Sequence, residues 1–184
     1  MNAGYRKGDL NKEDDHNRYA VVIFLPRPLD EIVAYLREQF DPDYNIIASH
    51  VTVVFPFETT RSMDDITRII NRETYKMEPF KIELSSINDF YPDYPIIYWQ
   101  VKKNPIIDEL YKNLYIGLDL ALPFRQLIPH VTIAKEISLH RVMLVKEKII
   151  SYLSDEIFEA DAIDLVSPVA DENWLSVRTF SLNK

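Results

Sequence analysis

Two hydrophobic rhythms alternate along the chain. In some segments every second residue is apolar, the period of a half-buried strand. In others the apolar residues fall three and four apart, the period of an amphipathic helix. Residues 18–25 (RYAVVIFL) read as a strand. Pro28 then opens a helix that runs to about Phe40, with Leu29, Ile32, Val33 and Leu36 on one face, since proline suits a first helical turn. A strand follows within SHVTVVFPF, and a helix starts at Ser62, with Asp65 three residues on in the manner of a capping box. Residues 79–90 read as strand. The second half runs through the same order. Residues 96–102 read as strand, and Pro105 opens a helix with Ile107, Leu110, Leu114 and Leu118 on one face. The segment PHVTIAK reads as strand, and a helix from about Ser138 to Leu153 carries a stripe of Leu139, Val142, Ile149, Ile150 and Leu153. Closing strands cover about 157–166 and 173–181.

The repetition extends to the text itself. LDEIVAYL lies over IDELYKNL, so that Asp30-Glu31 lies over Asp108-Glu109, and His50 lies over His130 at an offset of 80 residues. INDFYP and IDLVSP close the two copies at Pro92 and Pro168. Two copies are too few for a solenoid. The pattern predicts a single α+β domain over 18–184, made of lobe repeats at about 18–92 and 96–168 plus the closing strand, after a polar, flexible tail at 1–17. A pseudo-two-fold axis would set equivalent strands side by side across a cleft.

Each repeat carries the triplet His-Val-Thr inside a strand: His50 and Thr52 in the first, His130 and Thr132 in the second. Side chains alternate faces along a strand, so each His shares a face with its Thr while Val51, Val53, Val131 and Ile133 turn to the core. Two such strands facing one cleft present two imidazoles and two hydroxyls. One imidazole can accept a proton while the other donates one, and the hydroxyls can hold phosphate oxygens.

The 184 residues carry a net charge of −8 with no cysteine and only three glycines. The charge argues against long nucleic acid, which needs a basic, counterion-releasing surface. A small phosphorylated nucleotide or a short RNA end needs only a few local cations. Without cysteine there are no disulfides and no thiolate metal sites, and no histidine-rich cluster suggests a metal. No run approaches the ~20 apolar residues of a membrane span, and the N-terminus lacks the apolar core of a signal peptide. These features point to the cytoplasm. Oligomeric state is not legible.

The paired HVTV and HVTI segments, their strand setting and the repeat together resemble the two-histidine (2H) phosphoesterase superfamily, the 2′-5′ RNA ligase-like and cyclic phosphodiesterase-like proteins, from about Arg18 onward. The resemblance implies a two-lobed α+β domain with antiparallel sheets lining a central groove and helices outside. It implies action without metal or cofactor on 2′,3′-cyclic phosphates or related phosphodiesters, with His130 as base, His50 as acid, and Thr52 and Thr132 on the phosphate. The family pattern has Arg where this chain has Lys135, which keeps the charge but loses the planar fork. A 2′-5′ RNA ligase and a non-catalytic nucleotide-binding module are the competing functions.

Other residues have weaker claims. Tyr98, Gln100 and Lys102 alternate with Ile97, Trp99 and Val101, so Tyr98 is a candidate to stack on a base. Arg125 and Lys135 flank the second motif and can supply positive charge to a substrate. Phe55 and Phe57 are expected in the core, and His16 and His140 at the surface. The aromatic segment DFYPDYPIIYW joins the halves and can close over a ligand or pack the lobes together.

Overall fold

The strands expected from the alternation form and pair antiparallel throughout. The computed structural model describes residues 17–123, 126–169 and 173–183; the expected tail up to His16, and Arg125, lie outside these. The strands are β1 (Asn17–Phe24), β2 (His50–Thr59), β3 (Phe80–Asp89), β4 (Ile96–Val101), β5 (His130–Lys135), β6 (Glu156–Ala160), β7 (Ala162–Pro168) and β8 (Trp174–Ser181). They form one sheet in the order β6-β3-β4-β5-β2-β1-β7-β8. The order is symmetric about the β5–β2 seam: β5 answers to β2, β4 to β1, β3 to β7 and β6 to β8. Only Asp161 separates β6 from β7, which lie on opposite sides of that seam. Adjacent Cα atoms are about 3.8 Å apart, so the sheet curls back on itself into a half-barrel.

The helices are α1 (Arg27–Phe40), α2 (Met63–Thr74), α3 (Pro105–Gly117) and α4 (Val142–Ile150). Their starts follow local chemistry. The Ser62 hydroxyl accepts from the Asp65 backbone N–H, and the Asn104 side chain accepts from those of Ile106 and Ile107, ahead of Pro105. Helix α1 packs on β5, α3 on β2 and α4 on β3. One core holds Val33, Leu36, Ile66, Ile70, Ile107, Leu114 and Ile149 against Val51, Val53, Val131 and Ile133. The opposite sheet face carries a small apolar cluster of Ala20, Val22 and Val166, with Phe24, Ile47 and Trp174 packed beside it.

The structure corrects several expectations. The lobes do not coincide with the sequence repeats. β3, from the first repeat, pairs with β4 and β6, whereas β7, from the second, pairs with β1. The tight β3–β4 connection, in which Phe90 N–H bonds Ile96 O, favours a local hairpin over pairing within the repeat. The expected strand 157–166 is two strands, because alternation cannot show that its ends have different neighbours. The last helix is shorter than 138–153. A 3-10 turn at Leu139–Arg141 precedes α4 and resets the helical phase. Val142, Val145 and Ile149 are therefore buried, while Leu139 and Ile150 are exposed. Ile32 is also exposed, and Phe55 is 39% exposed rather than in the core.

Phe55 is displaced by a bulge. The β1–β2 register pairs Val22 with Thr52 but Val21 with Val54, so Val53 is an extra residue. The β4–β5 register does the same, pairing Tyr98 with Thr132 but Ile97 with Ala134, so Ile133 is extra. Each motif is followed at once by a bulge, which bends its strand and turns two consecutive residues, Val53-Val54 and Ile133-Ala134, into the core.

The loop before the first motif is pinned by a buried ion pair. Arg37, beside Val33 and Leu36 on the buried face of α1, donates from Nε to Asp41 Oδ2 over 2.9 Å. It also donates to Ile47 O over 2.7 Å and to Asp43 O over 3.2 Å. Replacing Arg37 with Ala strands the Asp41 carboxylate in the core and should lower the unfolding free energy by about 3–5 kcal/mol in denaturant titrations. The exposed Arg27–Glu31 pair on the same helix should contribute no more than about 0.5 kcal/mol when Arg27 is replaced by Ala.

Candidate active site

Strands β2 and β5 meet at a single register point, Val51 opposite Val131. In an antiparallel pair this sets His50 across from Thr132 and Thr52 across from His130, all on the face away from the core. The two histidines occupy one diagonal of that square and the two threonines the other. Diagonal neighbours in a sheet lie roughly 7–8 Å apart, and the charge of His130 bears on His50.

Both rings are oriented the same way. Nδ1 of His50 lies 2.8 Å from Ala48 O, and Nδ1 of His130 lies 2.6 Å from Ile128 O. A carbonyl oxygen only accepts, so each Nδ1 carries its proton and each Nε2 is left to exchange one. Each histidine also has aromatic support. Phe24, paired with His50 on β1, meets its ring edge-on at 6.3 Å. Phe90 and Tyr98 contact His130 at 5.1 and 5.0 Å.

Burial lowers both imidazole pKa values. His50 falls from 6.5 to about 4, chiefly by desolvation and further by the charges of Arg37, His130 and Lys135, with the bond to Ala48 opposing. His130 is lowered by desolvation against the bond to Ile128. Both rings are therefore neutral near pH 7 in the free protein.

A cleft of about 320 Å³ is lined by His50, Thr52, Lys135 and Asp43 together with Arg18, Ala20, Val22 and Trp174. A larger hollow of about 490 Å³ on α2 lies elsewhere and holds none of the motif residues. Lys135 Nζ donates to Asp43 Oδ2 over 2.8 Å and lies 3.9 Å from Asp41 Oδ1, so the cation at the cleft wall is tethered to the Arg37–Asp41 network. Among the described residues, no group of three or more histidine or carboxylate side chains could hold a metal ion, and no helix is long and apolar enough to cross a membrane.

A family model described as the 2′-5′ RNA ligase superfamily matches residues 25–172. The chain belongs to the 2′-5′ RNA ligase superfamily. The resemblance read from the paired motifs named the same family. A protein from Geobacillus kaustophilus named "Putative phosphoesterase" is 26% identical over 166 residues, covering 89% of this chain and 95% of that one. One of the same name from Halalkalibacterium halodurans is 26% identical over 174 residues, covering 90% and 98%. The fold is that of the Escherichia coli LigT crystal structure complexed with 3′-AMP, at a TM-score of 0.66 and 13% identity over 92% of this chain and 100% of that one. LigT complexed with phosphate gives 0.63 at 13% identity, over 92% and 99%.

Within this superfamily fold, the structure brings His50, Thr52, His130, Thr132 and Lys135 together. Tyr98 is placed differently from expectation. It is only 6% exposed, and Phe90 stacks on its ring at 4.2 Å, so no open face remains for a base; the ring supports His130 instead. The sequence reading missed Arg18, Arg37, Asp41, Asp43, Phe90 and Trp174. One signal was available for Arg37, an arginine beside the buried positions of α1. Trp174 gave none, because its place beside the first motif depends on β8 reaching β7.

The lowered pKa values fix the sign of a pH effect. Between about pH 6.5 and pH 4 the unfolded chain holds a proton on His50 that the folded chain does not. Stability is then lost as pH falls through that window. Thermal unfolding should show a lower midpoint at pH 4.5 than at pH 7, and His50→Gln should flatten the slope. Equal slopes in both proteins would contradict the burial of this imidazole.

Proposed function

We propose that the chain is a metal-independent phosphoesterase that opens 2′,3′-cyclic phosphates, or related phosphodiesters at nucleotides and short RNA ends, by paired-histidine acid–base catalysis. The observation that carries this reading is the strand register, which sets His50 and His130 on one diagonal of the β2–β5 seam, each with its Nδ1 held by a backbone carbonyl. A water proton passes to one imidazole as the water oxygen bonds to phosphorus. The phosphorus–ribose oxygen bond breaks, and the other imidazole gives that oxygen a proton. The Thr52 and Thr132 hydroxyls donate to the non-bridging oxygens, and Lys135 adds positive charge. The names of the relatives and the 3′-AMP complex of LigT support a phosphate-bearing nucleotide as ligand.

Neutral rings suit the base but not the acid, and the substrate itself corrects this. One negative charge about 4 Å from His50 contributes about 4 kcal/mol at an effective dielectric of about 20, or about three pKa units. That raises the imidazole from about 4 toward the ordinary histidine range. Phosphate binding thus charges the group that must donate. The reverse reaction, joining a 2′-hydroxyl to a cyclic phosphate, uses the same groups, but a net charge of −8 disfavours a tRNA-sized partner.

His50→Ala and His130→Ala should each cost about 10²- to 10⁴-fold in turnover of a 2′,3′-cyclic nucleotide. The double variant should be little worse than either, because the two act as one unit. Near-normal turnover in either single variant sinks the mechanism. Thr52→Val and Thr132→Val remove one charge-assisted bond each and should cost about ten- to a hundredfold. Turnover should persist in excess EDTA; loss that a divalent cation restores would count against the metal-free reading.

A further inference from the structure

The groove face bears an apolar patch beside the first motif. Ala20, Val22 and Val166 are buried there, apart from the main core, with Trp174 packed beside them. Trp174 is half-buried at the start of β8 and opposite Pro168. Its backbone N–H bonds Ile46 O over 2.8 Å, which ties it to the loop that leads into His50. The Arg18 guanidinium lies 5.3 Å over the indole, and Arg18 O accepts from the Ser167 hydroxyl over 2.9 Å. Both side chains line the same cleft as His50, Thr52 and Lys135. Its 320 Å³ falls within the range of small-ligand sites, about 300–1,000 Å³. Across the seam, Tyr98, paired with Thr132 as Val22 is with Thr52, is stacked under Phe90.

We propose that Trp174 and Arg18 form a nucleobase platform, which stacks the base of a nucleotide whose phosphate lies between His50 and His130. The proposal rests on the phosphoesterase reading for the position of the phosphate. A base has a flat apolar body and polar edges, and it matches an indole over an apolar floor beside a guanidinium. The arrangement puts the ribose on the His50 side. His50 then protonates the departing ribose oxygen, and His130, walled by Phe90 and Tyr98, activates the water.

Two measurements test this separately from turnover. The chain has two tryptophans, and Trp99 is 1% exposed in the core, so a stacked base should quench Trp174 fluorescence selectively. Adenosine 3′-monophosphate should quench the native protein saturably, and Trp174→Phe should abolish that quenching. Ribose 5-phosphate should not quench. In kinetics, the preference in kcat/KM for adenosine 2′,3′-cyclic phosphate over the baseless glycerol 1,2-cyclic phosphate should fall about ten- to a hundredfold in Trp174→Ala. Trp174→Phe should restore most of it. Quenching that survives in Trp174→Phe, or a preference that stays within about twofold, overturns the platform even while both substrates turn over. Saturable quenching by the nucleotide with neither substrate turned over supports the platform and removes the phosphoesterase reading.

Discussion

The site depends on the pairing of two strands at Val51 and Val131. The pleat allows only two faces. The core takes Val51, Val53, Val131 and Ile133, all fully buried, so His50, Thr52, His130 and Thr132 must share the other. Burial of their apolar neighbours puts the four polar groups on one face, and the bonds to Ala48 O and Ile128 O orient the two rings. A slip of one residue in either strand would send its histidine into the core and its valines to the groove. The paired bulges at Val53 and Ile133 confine this arrangement to the motif. Beyond each threonine the bent strand serves the core again.

The symmetry is strong in the backbone and weak in the surroundings. Each imidazole bonds the carbonyl two residues before it, and each is braced by rings from neighbouring strands or loops. Yet His50 faces a cleft with Lys135, Asp43 and Trp174 on its walls, while His130 sits under Phe90 and Tyr98. In the proposed reaction, a symmetric pair of proton carriers suits one attacking and one leaving oxygen. An asymmetric setting fits the unequal groups those oxygens belong to. The Arg37–Asp41–Lys135 network also couples stability to the site, since the buried ion pair that holds the loop before His50 also tethers the cleft cation.

Much of the outcome was written in local pattern. The alternation around Val51 and Val131 put both histidines on strands and on the polar face. Proline, serine and their spacing located the helix starts near Arg27, Ser62 and Pro105. The repeated His-Val-Thr named the family because two copies in equivalent places constrain far more than one. Local pattern failed where the choice lay between neighbours. The alternation in 157–166 cannot reveal that one end pairs with β3 and the other with β7, and the apolar stripe from Leu139 to Leu153 cannot show a 3-10 turn resetting its phase.

The sequence by itself therefore located most of the elements, the two-fold repetition and the paired His-Val-Thr motifs, because strand and helix periods are properties of consecutive residues. The tertiary structure alone decided which strands share a lobe, that Tyr98 is covered by Phe90, that Lys135 is tethered to Asp43, and that Trp174 stands beside the first motif. Each of these joins residues distant in the chain. Their contacts arise from the curl of the sheet and the closure of one common core, which no local period encodes.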